Sequence, residues 1–268
     1  MNFRESMENV RAPAAHSIPS LEGQVSAEEW QLRVDLAATY RLVAMYGWDD
    51  MIFTHISARV PGPEHHFLIN PYGLLFEEIT ASSLVKIDVD GHKVVDSPYP
   101  VNPAGFTIHS ALHMNRDDAH CVIHLHTDDG VAVSAQADGL LPLDQHAMLV
   151  TGDIAYHDYE GIALDLDERD RLVADIGSDK HVMMLRNHGT LTLGKSCADA
   201  FMRMYYLERA CTMQVRALAG GAKPNWPNQG VPEKTASQGS MAFEGILGML
   251  AWPALLRKLD RIDPSYRH

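Results

Sequence analysis

The stretch Cys121-Val122-Ile123-His124-Leu125-His126 constrains the fold around it more than any other part of the chain. Cys121, Ile123 and Leu125 fall on one face of a period-two strand, and His124 and His126 fall on the other. Two imidazoles two residues apart on a strand point the same way, roughly a metal ion's width apart. Buried without partners, each would carry the cost of polar burial. Held by a metal ion, they become nitrogen ligands. A lone His-x-His also describes a strand whose polar face meets solvent, so the rest of the chain has to decide between the two.

The flanking segments predict an arm, a mixed α/β body and a C-terminal extension. Met1 to Ser26 carries Pro13, Pro19, Gly23 and scattered charges, which predicts a flexible or draped arm. Trp30, Val34, Ala37, Ala38, Leu42 and Met45 recur at helical spacing up to Gly47, a helix stop. Met51 to Val60 alternates, with His55, Ser57 and Arg59 on one face, and Phe67 to Asn70 makes a second strand. Leu84 to Val89 and Lys93 to Asp96 flank Asp90-Gly91, which predicts a hairpin. Asn102-Pro103 reads as a helix start, Asn as cap and Pro in the first helical position, and this helix runs to about Asn115.

Beyond the His-x-His strand, Gly130 to Ala137 and Leu166 to Ile176 read as helices. The tripeptide Asn187-His188-Gly189 joins two strands, His181 to Arg186 and Thr190 to Leu193. Ser196 opens a long helix to about Leu218, with Asp199 as its capping partner. Gly220-Gly221 and Pro224 to Pro232 form a linker to one last helix, Ser240 to Leu259. Irregular alternation of strands and helices, with several hairpins, fits a mixed sheet covered by helices. The body is residues 27–219, and residues 220–268 are a linker and helix that pack on it or on a neighbouring subunit.

Composition narrows the function. A formal net charge of −13 argues against nucleic acid, whose phosphates would be repelled. No apolar run of about eighteen residues exists, so no membrane span is expected. The start of the chain lacks a basic segment followed by an apolar one, so no secretory leader is expected. Cys121, Cys197 and Cys211 sit inside periodic segments and read as reduced core residues of a cytoplasmic protein.

Several stretches together resemble the class II aldolase/adducin family. They are His55-Ile56-Ser57-Ala58-Arg59, Asn70-Pro71-Tyr72-Gly73-Leu74-Leu75, Glu78 to Leu84, Asn102-Pro103-Ala104-Gly105-Phe106-Thr107-Ile108-His109-Ser110, the His-x-His strand, Ala155 to Tyr159, and Leu185-Arg186-Asn187-His188-Gly189. The resemblance runs from about Ala27 to Ala219, and several stretches are more similar to the adducin head domain than to the sugar-phosphate aldolases. It implies an α/β/α sandwich around a mixed, largely antiparallel sheet, and a homotetramer with sites at subunit borders.

By position, the resemblance makes His124, His126 and His188 the ligands of a divalent metal, zinc first, with iron(II) or manganese(II) as alternatives. The carboxylate ligand of the aldolases is replaced by Gly105, and their phosphate-binding serine pair by Pro103-Ala104. A phosphorylated substrate is therefore not expected. His55, and His146 from a neighbouring subunit, stand as the proton-transfer groups. Ser57, Arg59 and the helix start at Gly105 stand as substrate-binding positions, the last because a helix N-terminus offers free N–H groups to a carboxylate. His109 reads as a packed, hydrogen-bonded residue and His113 as a solvated one. The resulting expectation is a metal-dependent aldolase or lyase for an unphosphorylated hydroxy or oxo acid or hydroxyketone. A non-catalytic adducin-like assembly domain and an iron(II) oxygenase on the same fold are the alternatives.

Overall fold

In the computed structural model the described residues are 18–161, 167–243 and 246–268, and the side chains of 103–107 and 241–242 are outside them. Residues 1–17, most of the expected arm, are also outside the described residues. Helix α1 (Ala27–Tyr46) begins where Ser26 accepts a hydrogen bond from the Glu29 amide. It stops at Gly47, whose left-handed φ of 68° lets Trp48 N–H reach back to the Val43 carbonyl.

The sheet follows: β1 (His55–Arg59), β2 (Phe67–Ile69), β3 (Val85–Ile87), β4 (Cys121–Leu125), β5 (Ile154–His157), β6 (Val182–Leu185) and β7 (Gly189–Gly194). Their order across the sheet is β3-β2-β1-β4-β7-β6-β5. Every neighbouring pair is antiparallel except β5 with β6. The mixed, largely antiparallel sheet is therefore as expected. β5 was not anticipated as a strand. Its sequence, Ile-Ala-Tyr-His, is too short to set a period and gains its partner only by lying beside β6. Conversely, Lys93 to Asp96 form no strand: the pairing there is one isolated bridge, Ile87 to Lys93, with the Val94 amide donating to the Lys86 carbonyl.

Helices cover both faces. Between the strands lie α2 (Pro103–Asn115), α3 (Asp128–Ser134), α4 (Gln145–Val150) and α5 (Glu168–Ile176), followed by α6 (Cys197–Leu218), α7 (Val231–Phe243) and α8 (Ile246–Ile262). Cys121, Ile123 and Leu125 of β4 pack into a core with residues of α1, α6 and α8. Val122 joins the opposite core with Ile108 and Leu112 of α2 and Leu172 and Ile176 of α5. Strand β4 is thus buried on both sides, as the central strand of a sandwich must be. The last segment holds two helices where one was expected, and it returns to the body. Trp252 of α8 donates to Asp35 of α1, and the Ala81 amide donates to the Tyr266 carbonyl.

The expectation for His113 fails. It is 2% exposed, stacked on Phe67 with ring centroids 4.7 Å apart, and both of its nitrogens are bonded. The face of α2 that looked polar meets β1 rather than water, because Ser57 supplies it with a hydroxyl. Burial pushes the His113 pKa down to about 3, against an ordinary value of 6.5. Between those values the unfolded chain binds a proton that the folded chain does not. His113 therefore favours the folded state above pH 6.5, and that contribution is lost as pH falls toward 3. In a His113→Gln protein, urea unfolding between pH 6.5 and 4 should show a pH slope lower by up to ~1.4 kcal/mol per unit. Equal slopes in the two proteins would show that His113 is not a buried neutral ring.

Candidate metal centre

Strand pairing assembles the site. In the β1–β4 ladder His55 lies opposite His124, and in the β4–β7 ladder Leu125 lies opposite Thr190. The β6–β7 turn, Arg186-Asn187-His188, therefore falls beside His126. Asn187 takes a left-handed φ of 56°, which asparagine tolerates, and His188 N–H closes the turn on the Leu185 carbonyl. Gly189 makes the approach possible. A Cβ there would lie 2.3 Å from the Leu125 carbonyl oxygen, a backbone atom that cannot move aside.

The rings of His124, His126 and His188 are mutually 4.8 Å apart between centroids. Each offers a ligand atom within 4.8 Å of the others. The tautomers follow from the partners. His124 Nδ1 lies 3.0 Å from the Thr190 carbonyl, which can only accept, so Nδ1 carries the proton. His126 Nδ1 lies 3.2 Å from an Asp50 carboxylate oxygen and donates in the same way. Both Nε2 atoms are then bare lone pairs, and they face each other 3.0 Å apart. Two lone pairs at that distance repel unless a cation joins them, and the spacing is close to that of two nitrogens ~2.0–2.1 Å from one tetrahedral ion. The donor set fits a metal.

The electrostatics agree. Burial, reinforced by His188, His126 and His55, holds His124 well below its ordinary pKa. Burial, with His126 and His157, pushes His188 down to about 4. Both are neutral imidazoles at physiological pH, the form that binds metal. A divalent cation held by three imidazoles would keep its full charge and an open position for substrate oxygen or water.

His55 belongs to this cluster. Its ring centroid is 5.5 Å from that of His124 and 4.7 Å from that of His109, and among the described residues neither of its nitrogens has a hydrogen-bond partner. Burial pushes it down to about 3. His109 is packed and hydrogen-bonded as expected, its Nδ1 being 2.6 Å from Ser57 Oγ. Ser57 and Arg59, expected at the substrate, are engaged elsewhere. The Ser57 hydroxyl is shared between His109 and His113, and the Arg59 guanidinium is bound to the carbonyls of His113 and Arg116 at the end of α2. Gly105 lies in the stretch 103–107, outside the described residues. His146 opens α4 beside its cap Asp144, with its ring 5.2 Å from that of Tyr206 on α6. Within one chain it does not join the three histidines.

Sequence reasoning missed Asp50 and Thr190, and it gave no site role to Tyr159, whose ring lies 5.8 Å from that of His188. Asp50 reaches His126 across 76 residues, in a loop where Met51 and Thr54 adopt positive φ. No local pattern marks it.

The arrangement is a cluster of three histidines whose donor set could hold a metal ion, on an α/β/α sandwich. Residues 34–215 match the family described as the Class II Aldolase and Adducin N-terminal domain, and the chain belongs to that family. It is 60% identical over 248 residues to a Caulobacter vibrioides protein with a provisional class 2 aldolase name, spanning 92% of this chain and 96% of that one. The solved structure of an aldolase II superfamily protein from Pseudomonas syringae superposes with a TM-score of 0.88 at 53% identity, over 93% of this chain and 100% of that one. Mouse alpha-adducin is 42% identical over 246 residues, 86% of this chain and 33% of adducin.

Outer-shell partners of metal-bound histidines set ring orientation and basicity. Asp50→Ala should lower metal affinity about 10- to 100-fold while leaving the melting temperature of the metal-free protein nearly unchanged. Titration with a chromophoric chelator as competitor checks this, and an unchanged affinity would remove Asp50 from the centre.

Proposed function

We propose that this chain is a metal-dependent lyase of aldolase type. Its substrate would be an unphosphorylated hydroxy or oxo acid, or a hydroxyketone. The observation that carries the reading is the pair of His124 and His126 Nε2 lone pairs facing each other, with the His188 ring against both. These three residues would hold the ion, zinc first. A divalent ion bound there supplies Lewis-acid stabilisation of the negative charge that develops on a carbonyl oxygen when a neighbouring carbon–carbon bond breaks.

The chain's own groups supply the rest. His55, whose ring nitrogens have no hydrogen-bond partner among the described residues, lies next to His124 and would serve as a proton-transfer group. His146 joins it from a neighbouring subunit if the chain forms the tetramer that the family resemblance implies. The absence of phosphate recognition rests on two observations. Ser57 and Arg59 of β1, the polar side chains expected at the substrate, are spent on His109, His113 and the end of α2. Pro103 and Ala104 replace the aldolases' serines. The similarity to alpha-adducin favours a second reading, an assembly or partner-binding domain.

Elemental analysis of untagged protein separates the two readings. The lyase reading expects about one divalent ion per chain and its loss in His124→Ala and His188→Ala. It also expects the metal-loaded protein to release a trappable aldehyde or ketone from members of a panel of hydroxy acids, oxo acids and hydroxyketones. Absence of bound metal after reconstitution with zinc, iron(II) and manganese(II) would overturn it in favour of the assembly domain.

A further inference from the structure

A buried carboxyl group lies behind the three histidines and has no part in the chemistry above. Glu208 projects from the middle of α6 and is 1% exposed. One of its oxygens accepts from the Thr190 hydroxyl at 2.7 Å, and the other accepts from the Thr127 hydroxyl. Each threonine is joined to the ligand set. Thr127 follows His126 directly and caps α3, its oxygen accepting from the Gly130 amide at 3.0 Å. That leaves the Thr127 hydroxyl proton for Glu208. Thr190 lies two residues beyond His188, pairs with Leu125 in the ladder, and offers its carbonyl to His124 Nδ1.

We propose that Glu208 is a positioning residue for the metal centre, fixing all three histidines from the opposite layer of the sandwich through Thr127 and Thr190. This rests on the reading of the three histidines as metal ligands.

Two independent observations support it. The space is closed around the carboxylate: a Cβ on Gly130 would lie 2.5 Å from Thr127 Oγ1, 3.0 Å from Thr190 Cγ2 and 3.1 Å from Glu208 Oε1. Position 130 has no room for a side chain while the two threonines and Glu208 are joined. Second, among the described residues no basic side chain pairs with Glu208, and burial pushes its pKa up to about 7. A buried carboxylate without a counter-charge is costly. A divalent ion held by neutral imidazoles beyond the two threonines provides that counter-charge.

The test compares the full-length wild-type protein with Glu208→Gln, Thr190→Val and Thr190→Ser, using Co2+ and Zn2+ as probes. Glu208→Gln keeps the shape and removes the charge and one acceptor. The expected result is Co2+ and Zn2+ affinity about 10- to 100-fold weaker in Glu208→Gln, with an altered visible spectrum of the Co2+ form. The metal-free variant should melt no lower than wild type at pH 8, because a buried charge has been removed. Thr190→Val should weaken binding in the same direction, and Thr190→Ser, which keeps the hydroxyl, should restore it. If Glu208→Gln fails to fold, the Thr190 pair decides alone.

Metal affinity and spectrum like wild type in Glu208→Gln, or in Thr190→Val, would overturn the proposal, whatever happens to the melting temperature. Should wild type bind neither ion, the metal reading fails on its own. The positioning role is then judged on the metal-free protein by imidazole 15N NMR. A His124 Nδ1–H signal that shifts or broadens in Glu208→Gln supports the proposal, and an unchanged one overturns it.

Discussion

The placement of β4 between β1 and β7 is the constraint on which the rest depends. A strand buried on both faces has no water for its backbone, so both edges must be paired, and antiparallel neighbours satisfy them. The same two ladders fix the site. One puts His55 opposite His124, and the other puts Thr190 opposite Leu125 and the tip of the β6–β7 hairpin at His126. A slip of one residue would turn His55 away from His124 in the first ladder, and His124 away from His188 in the second. Register and the three-histidine cluster are therefore specified by one set of hydrogen bonds.

Around that strand the polar groups divide by layer. On the α2 side lie imidazoles: His109 and His113, linked through Ser57, with His113 ending on the Ala119 carbonyl, and His55 with its ring against that of His109. On the α6 side lie the carboxyl of Glu208 and the hydroxyls of Thr190 and Thr192. Buried polar groups in such number are tolerated because most are bonded. Among the described residues the exceptions in the histidine cluster, both nitrogens of His55 and Nε2 of His109, lie next to the proposed centre. Unsatisfied buried nitrogens cost folding free energy, so their concentration at one place points to function there.

Apolar alternation in Cys121 to Leu125 established a central strand, and it left two histidines on the other face without needing any partner to be known. Ser26 and Gly47 bound α1, and Ser196 caps α6, because capping is chemistry between residues three or four apart. These features were legible because each lies within one turn or one strand. The family motifs added His188, which no periodicity could place.

What only the tertiary structure decided are the meetings of residues far apart in the chain. Asp50 with His126, Glu208 with Thr127 and Thr190, and Ser57 with His109 and His113 span from 18 to 81 positions. A hydroxyl or carboxyl in a sequence carries no sign of which buried donor it will face. His113 shows the limit most directly: its helical phase put it opposite Ala104, which reads as solvent, yet β1 lies there. By itself the sequence determined the local elements and the apolar face of β4 that carries His124 and His126 on its other side, because these follow from period and residue type. The long-range pairings that fix tautomer, charge and orientation at the centre were set only when the sheet closed.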